Sequence, residues 1–182
     1  LGVQTCALPI SPFVILVNSG LNVKTMGEFI ALAKGKPDYV MYGTSGAGTS
    51  GHICMELLQS MTGMKLVHVP YKGTMTALTE VMGGQMHSLC LAIPTLSLIT
   101  GNQKVRVLAH TMRGATALAP NFPALSQTVP GYELNGWYGM LAPPGTPRAI
   151  TDKLNQVFST AVTDPSIRDR LLNVGMEPTP ST

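Results

Sequence analysis

Charged side chains are scarce in this 182-residue sequence, making up 12% of it, about half the usual share of roughly 25%. The formal net charge is only +3, and no cluster of Lys or Arg occurs. Phosphate-backbone recognition needs several convergent cations, so nucleic acid is excluded as the expected partner. Long apolar runs are missing too. The longest, residues 13–17, is the length of a strand and far short of the ~18 residues of a membrane span. Cysteine is rare, and Cys6, Cys54 and Cys90 form no framework by spacing. Cys54 and Cys90 lie in apolar surroundings and are expected to be separate buried thiols that say little about redox compartment. The chain opens on Leu1 without a basic segment followed by a long apolar stretch. Either a targeting segment has been removed or the native start is missing.

Apolar residues make up 45% of the sequence, enough for a real core and too many for a disordered chain. Residues 1–10 fit neither a helical nor a strand period. They resemble translated sequencing-adapter read-through, so residues 1–11 are set aside as a non-native leader. From Pro12 onward the chain alternates. Strands are expected at 13–17, 39–42, 66–69, 86–91, 105–109 and 136–142. Helices open at Thr25, with Glu28 completing a capping box, and at about Ser50, Thr74, Pro94, Thr146 and Asp164. Pro147 falls at the first position of one of these helices. Strands separated by single helices call for parallel βαβ units and hence the α/β class. Pro120, Pro123 and Pro130 punctuate a long loop between 111 and 135.

Strand, turn and capped helix recur on one plan at 13–34 and 136–162. This predicts two crossings between lobes. Residues 12–18 form one crossing strand and 19–135 a central ligand-binding lobe. Residues 136–182 form the return strand and the C-terminal part of a second lobe.

The loop Gly43-Thr44-Ser45-Gly46-Ala47-Gly48-Thr49-Ser50-Gly51-His52 joins a strand to a helix. Its glycines allow close backbone approach, and its hydroxyls, N–H groups and helix N-terminus suit an anion. An ordinary Gly-rich turn would look similar. Gly46, Gly48 and Gly51 satisfy a dinucleotide pattern, but no carboxylate follows in the stretch 65–71 to hold a ribose. Gly43-Thr44-Ser45-Gly46-Ala47 is one residue short of a nucleophile elbow, and every aspartate after Ser45 lies beyond the last histidine, His110. A nicotinamide-type oxidoreductase or a serine hydrolase is therefore the alternative reading, not the leading one. His52, His68, His87 and His110 show no zinc spacing and are expected to be structural or surface residues. No cofactor and no metal is expected.

Two further junctions, His68-Val-Pro-Tyr-Lys-Gly-Thr74 and Leu91-Ala-Ile-Pro-Thr95, also lead from strand to helix. In an open parallel sheet such loops gather at the carboxyl ends of the strands, where ligands bind. The candidate contacts are Thr44, Ser45, Gly46, Gly48, Thr49, Ser50, Tyr71, Lys72, Leu91 and Ala92. Only Lys72 among them is charged, which points to a small carboxylate held by backbone N–H groups and hydroxyls. Tyr71 and Lys72 could equally be a solvated loop pair. Trp137 is expected in the core.

Three stretches together, 42–52, 68–74 and Gly131-Tyr-Glu-Leu-Asn-Gly-Trp-Tyr-Gly-Met-Leu-Ala-Pro-Pro-Gly-Thr-Pro147, resemble the Bug family. These are the TctC-like periplasmic solute receptors of tripartite tricarboxylate transporters. The resemblance runs from about Pro12 to the end. It implies a two-lobed, type 2 periplasmic-binding-protein (Venus-flytrap) fold, here truncated, that closes on a di- or tricarboxylate, an acidic amino acid or an aromatic acid. It implies a binding protein and not an enzyme, located in the periplasm, with membrane permease subunits as partners. Thr44, Ser45, Gly48 and Thr49 would cradle one carboxylate, with Leu91 and Ala92 touching the rest of the ligand. Family members usually carry an acidic or polar group where this chain has Leu91 and Ala92, which points to a less polar ligand. The family's first lobe, and its closing helices beyond Thr182, would lie outside this chain.

Overall fold

The structure, a computed structural model, describes residues 5–179, with side chains described from Pro9 onward. Among the described residues six strands form: β1 (Thr5–Asn18), β2 (Met41–Thr44), β3 (Val67–Pro70), β4 (Ser88–Ala92), β5 (Val105–His110) and β6 (Asn135–Leu141). Five α-helices accompany them: α1 (Met26–Gly35), α2 (Ser50–Thr62), α3 (Thr74–Gly83), α4 (Arg148–Thr163) and α5 (Pro165–Asn173). The chain divides into two units, one from Phe13 to Leu134 and the other taking the chain up to Pro12 and from Asn135 onward.

In the Phe13–Leu134 unit the sheet order is β3-β2-β4-β1-β5. β2 runs parallel to β3 and β4, whereas β1 runs antiparallel to both its neighbours, β4 and β5. The all-parallel expectation is thus corrected to a mixed sheet with one inverted central strand. Periodicity could not show this, because an apolar strand buried on both faces reads the same in either direction. Alternate β1 residues serve opposite faces, as a pleated strand requires. Phe13, Ile15 and Val17 enter one core cluster with Phe29, Tyr42, Met55 and Leu58. Val14 and Leu16 enter the other with Leu78, Val81, Leu89 and Leu91. Val14, Ile15, Leu16 and Val17 are each completely buried, and such burial is worth about 1.5–3 kcal/mol per side chain.

The expected helices form with small corrections at their ends. Thr25 Oγ1 accepts from Glu28 N at 3.2 Å, but the Glu28 carboxylate reaches back to Lys24 N instead of Thr25 N. The segment after β4 is a 3-10 turn, Ile93–Leu98, and not an α-helix. Pro147 is the N-cap of α4 rather than its first residue, and Thr146 turns its hydroxyl to Pro143 O. Cys54 and Cys90, expected to be separate thiols, are joined in a disulfide. The two are buried, and the Tyr132 hydroxyl donates to Cys54 O at 2.9 Å beside the bridge. Disulfides persist in oxidising compartments, so these cysteines do carry compartment information.

In the other unit, residues 5–12 of β1 pair antiparallel with β6, and Ile10 exchanges two backbone hydrogen bonds with Glu177, each 2.8 Å. Residues 5–11, set aside for their irregular pattern, therefore lie within β1. Backbone pairing needs no hydrophobic period, so the pattern gave no sign of it. Residues 1–4 lie outside the described residues. Trp137, expected in the core, is 63% exposed.

Asp164 caps α5, its Oδ1 accepting from Ser166 N at 2.9 Å and Ile167 N at 3.3 Å. The Ser166 hydroxyl, which also donates to this carboxylate, and the two backbone N–H groups hold its pKa below the ordinary aspartate value of 3.8. A depressed carboxylate stabilises the fold above its unfolded pKa and loses that contribution as pH falls through the folded one. The amide NMR signals of Ser166 and Ile167, which donate to this carboxylate, are therefore expected to report a titration centred below 3.8. In Asp164→Asn that acid transition is expected to vanish.

Candidate functional site

β2 ends at Thr44, and the backbone then turns through Gly46 (φ +130°) and Gly48 (φ +76°). These two values lie where only glycine is relaxed, so both residues shape the loop that leads into α2. Inside that loop the Thr44 hydroxyl accepts from Gly46 N at 3.1 Å and shares a 2.6 Å hydrogen bond with His68 Nε2. Thr49 Oγ1 donates to Gly46 O at 2.7 Å, and Gly48 N donates to His52 Nδ1 at 3.2 Å. Thr44 is buried. Its hydroxyl is therefore committed to holding the loop in shape.

Ser45 and Ser50 differ. Both are exposed, and neither side chain makes a hydrogen bond among the described residues. The N-cap Thr49 leaves the helix end without a side-chain cap. The N–H groups of Ser50, Gly51 and His52 find no acceptor among the described residues. Free donors and the positive end of a helix thus meet at one point.

A cavity of about 250 Å³ opens there, lined by Phe13, Thr44, Ser45, Thr49, Ser50, Gly51, Thr74, Leu89, Cys90, Leu91, Ala92 and Thr95. No charged side chain belongs to this lining. Of the residues predicted from sequence, Thr44, Ser45, Thr49, Ser50, Leu91 and Ala92 come together on its wall. Gly46 and Gly48 act behind it through the backbone, while Tyr71 and Lys72 are not part of the wall. Tyr71 instead continues the β2–β3 ladder, its N–H donating to Thr44 O at 2.8 Å, and its ring packs on a core cluster.

Sequence reasoning missed Phe13, Gly51, Thr74, Leu89, Cys90 and Thr95. Thr74 and Thr95 follow the Gly73 and Pro94 that open their helical segments, so both belong to the predicted junctions. Phe13 was unreachable by that route. It stands where β1 enters the sheet of the Phe13–Leu134 unit, and only the inversion of β1 brings that point to the carboxyl ends of its neighbours, opposite Ala92. Gly51 is fixed by contact, since a Cβ there would stand 2.9 Å from Cys90 O. The Cys54–Cys90 bridge ties α2 to β4, and these elements supply Ser50 and Gly51 on one side and Leu91 and Ala92 on the other.

Behind the loop His52 and His68 lie with ring centroids 4.3 Å apart, and His68 stacks on Tyr42 at 5.0 Å. Tyr42 and Gln59 both donate to Glu56 Oε1. Burial, with Glu56 beside it, pushes the Tyr42 phenol well above its ordinary range. No group of three or more metal-ligating side chains gathers among the described residues. No helix among them is long and apolar enough to cross a membrane.

The chain resembles known proteins along nearly all its length. A family model described as "Tripartite tricarboxylate transporter family receptor" matches residues 4–182. The UPF0065 protein of the TAR-I ttuE-ttuC' intergenic region of Agrobacterium vitis is 31% identical over 169 residues, covering 92% of this chain and 49% of that protein. The solved structure of R. palustris Rpa4515 with adipate superposes with a TM-score of 0.85 at 29% identity, covering 97% of this chain and 60% of the other. The periplasmic binding protein BugD superposes with a TM-score of 0.78 at 27% identity, covering 95% and 58%. This chain spans about half the length of the curated relatives it matches. Its fold is that of the two-lobed periplasmic binding proteins, of which it represents a part. With the family model matching all but its first three residues, the chain belongs to the TctC family of tripartite tricarboxylate transporter receptors.

Proposed function

We propose that this chain is the ligand-holding part of a periplasmic receptor that captures a small carboxylate for the permease of a tripartite tricarboxylate-type transporter. It acts as a binding module and not as an enzyme. One observation carries the reading. The free Ser45 and Ser50 hydroxyls and the unpartnered N–H groups of α2 surround a cavity whose lining holds no charged side chain. Such a wall stabilises an anion with oriented dipoles and without a salt bridge. The relative solved with adipate, a dicarboxylate, supports the ligand class. Leu91 and Ala92 in the same lining favour a carboxylate carried on a weakly polar body, as the methylene chain of adipate is. Lobe closure would then follow from the ligand's greater affinity for the closed state.

The test is an NMR titration of the chain with adipate, followed at the amides of 44–52. Loss of the Ser45 hydroxyl in Ser45→Ala removes one bond to a charged group. It is expected to weaken binding roughly tenfold, a cost of about 1.5 kcal/mol. Unchanged affinity would make the serine a bystander, and silence toward every carboxylate tried would sink the ligand class. Covalent labelling of Ser45 by a fluorophosphonate would overturn the binding-module reading in favour of a hydrolase.

A further inference from the structure

We propose that His68 is the titratable counter-charge of this site, taking up a proton when a carboxylate occupies the cavity. The inference rests on the carboxylate reading above and assigns a role to a residue outside the cavity wall. A bound anion would find no cation in the lining, and Lys72 is exposed and off the wall. The ionisable group next in line is the His68 imidazole, one 2.6 Å hydrogen bond behind Thr44 Oγ1, a residue that does line the cavity.

That hydrogen bond tolerates either state of the ring. With His68 neutral at Nε2, the Thr44 hydroxyl donates to it and accepts from Gly46 N. With Nε2 protonated, the ring donates to Thr44 Oγ1, and the hydroxyl turns to Gly46 O at 3.2 Å. The loop keeps its shape while a positive charge is placed one hydrogen bond behind Thr44, a residue of the cavity wall.

The groups around His68 favour it as the site of proton uptake. From α2, His52 faces it at 4.3 Å between centroids, and from β2 the Tyr42 ring stacks on it at 5.0 Å. His52 Nδ1 is occupied as the acceptor of Gly48 N–H. Charging His52 by protonating Nδ1 would break a loop contact, whereas charging His68 breaks none. Glu56, also from α2, lies 3.9 Å from His52 Nε2 and already accepts from Tyr42 and Gln59. Burial first, then the neighbouring His52, holds the His68 pKa below the ordinary 6.5, with Glu56 opposing. His68 is therefore largely neutral in the empty site at pH 7, and a nearby anion reverses the balance by favouring the charged form.

The experiment follows the imidazole C–H signals of the four histidines by NMR against pH, without ligand and with saturating adipate. His68→Gln, which keeps a hydrogen-bonding group near the Nε2 position, assigns the signal. The His68 midpoint is expected to rise by roughly half a pH unit or more with adipate, while His87, bonded through Nδ1 to Met41 N, stays put. By linkage, a half-unit rise in a midpoint that starts below 6.5 lets the wild-type affinity relative to that of His68→Gln rise up to about twofold between pH 7.5 and 6.0. Comparing the two proteins cancels the ligand's own titration. Binding with an unmoved or lowered His68 midpoint would overturn this inference alone, as would a shift confined to His52. If adipate and every other carboxylate tried fail to bind at any pH, the carboxylate reading falls together with it.

Discussion

Reducing the Cys54–Cys90 bridge is expected to lower the unfolding free energy by about 3–4 kcal/mol. The two cysteines are separated by 36 positions, and releasing a loop of that length returns roughly this much entropy to the unfolded chain. Denaturant unfolding with and without a thiol reductant measures it directly, and the double variant Cys54→Ala, Cys90→Ala should show a loss of similar size. The functional effect is expected to be just as clear. Without the bridge, α2 and β4 are free to separate, and with them the Ser50 and Leu91 walls of the cavity. Adipate binding should weaken in step with the fall in stability. An unfolding midpoint indifferent to reductant would show that the cysteines are separate thiols after all.

The second large effect is expected at Gly51. A Cβ there would meet the backbone oxygen of Cys90 at 2.9 Å, and a carbonyl held in the sheet cannot swing aside as a side chain could. Two effects compete in Gly51→Ala. Replacing a helical glycine by alanine gains about 0.5–1 kcal/mol, while overpacking costs about 1–3 kcal/mol, so the clash wins. Gly51→Val adds more bulk and gives up most of the propensity gain, and is expected to cost about 3 kcal/mol. Gly27 in α1 is the matched control. It is exposed, its Cβ would come no nearer than 3.9 Å to Thr25 Oγ1, and Gly27→Ala should stabilise. Thermal unfolding of the three variants tests the ordering. If Gly51→Ala proves as stable as Gly27→Ala, α2 does not press on β4 as described.

These two predictions also mark where the sequence stopped being legible. The Gly-rich loop announced itself through its position between a strand and a helix, and Ser45, Thr49 and Ser50, named from it as ligand contacts, line the cavity. The alternation of strands and helices identified the elements within a few positions. Local patterns failed wherever a long-range partner decided the outcome. Cys54 and Cys90 look like ordinary core residues until β4 is laid beside α2. Phe13 reads as the start of a buried strand, and nothing in its neighbourhood reveals that the strand is inverted. Thr44 lines the cavity, but its hydroxyl is also engaged by His68, a residue on the next strand that spacing alone could not bring to it. Trp137 shows the converse. A large apolar ring was placed in the core on composition, whereas β6 leaves it exposed.

The inverted central strand has a consequence for the order in which the protein can assemble. Phe13 N binds Thr111 Oγ1 across 98 positions of sequence, and residues 13–18 of β1 find their two neighbours in β4 and β5. Contacts this distant in sequence slow folding, because the intervening chain must be closed into a loop before they are rewarded. β2 and β3 can meet early, but β4 cannot acquire its second neighbour until it captures a strand made long before. On a chain delivered from its N-terminus, residues 13–18 must wait, apolar on both faces, until β5 has emerged. That interval is when the polypeptide is most exposed to aggregation and most in need of a chaperone.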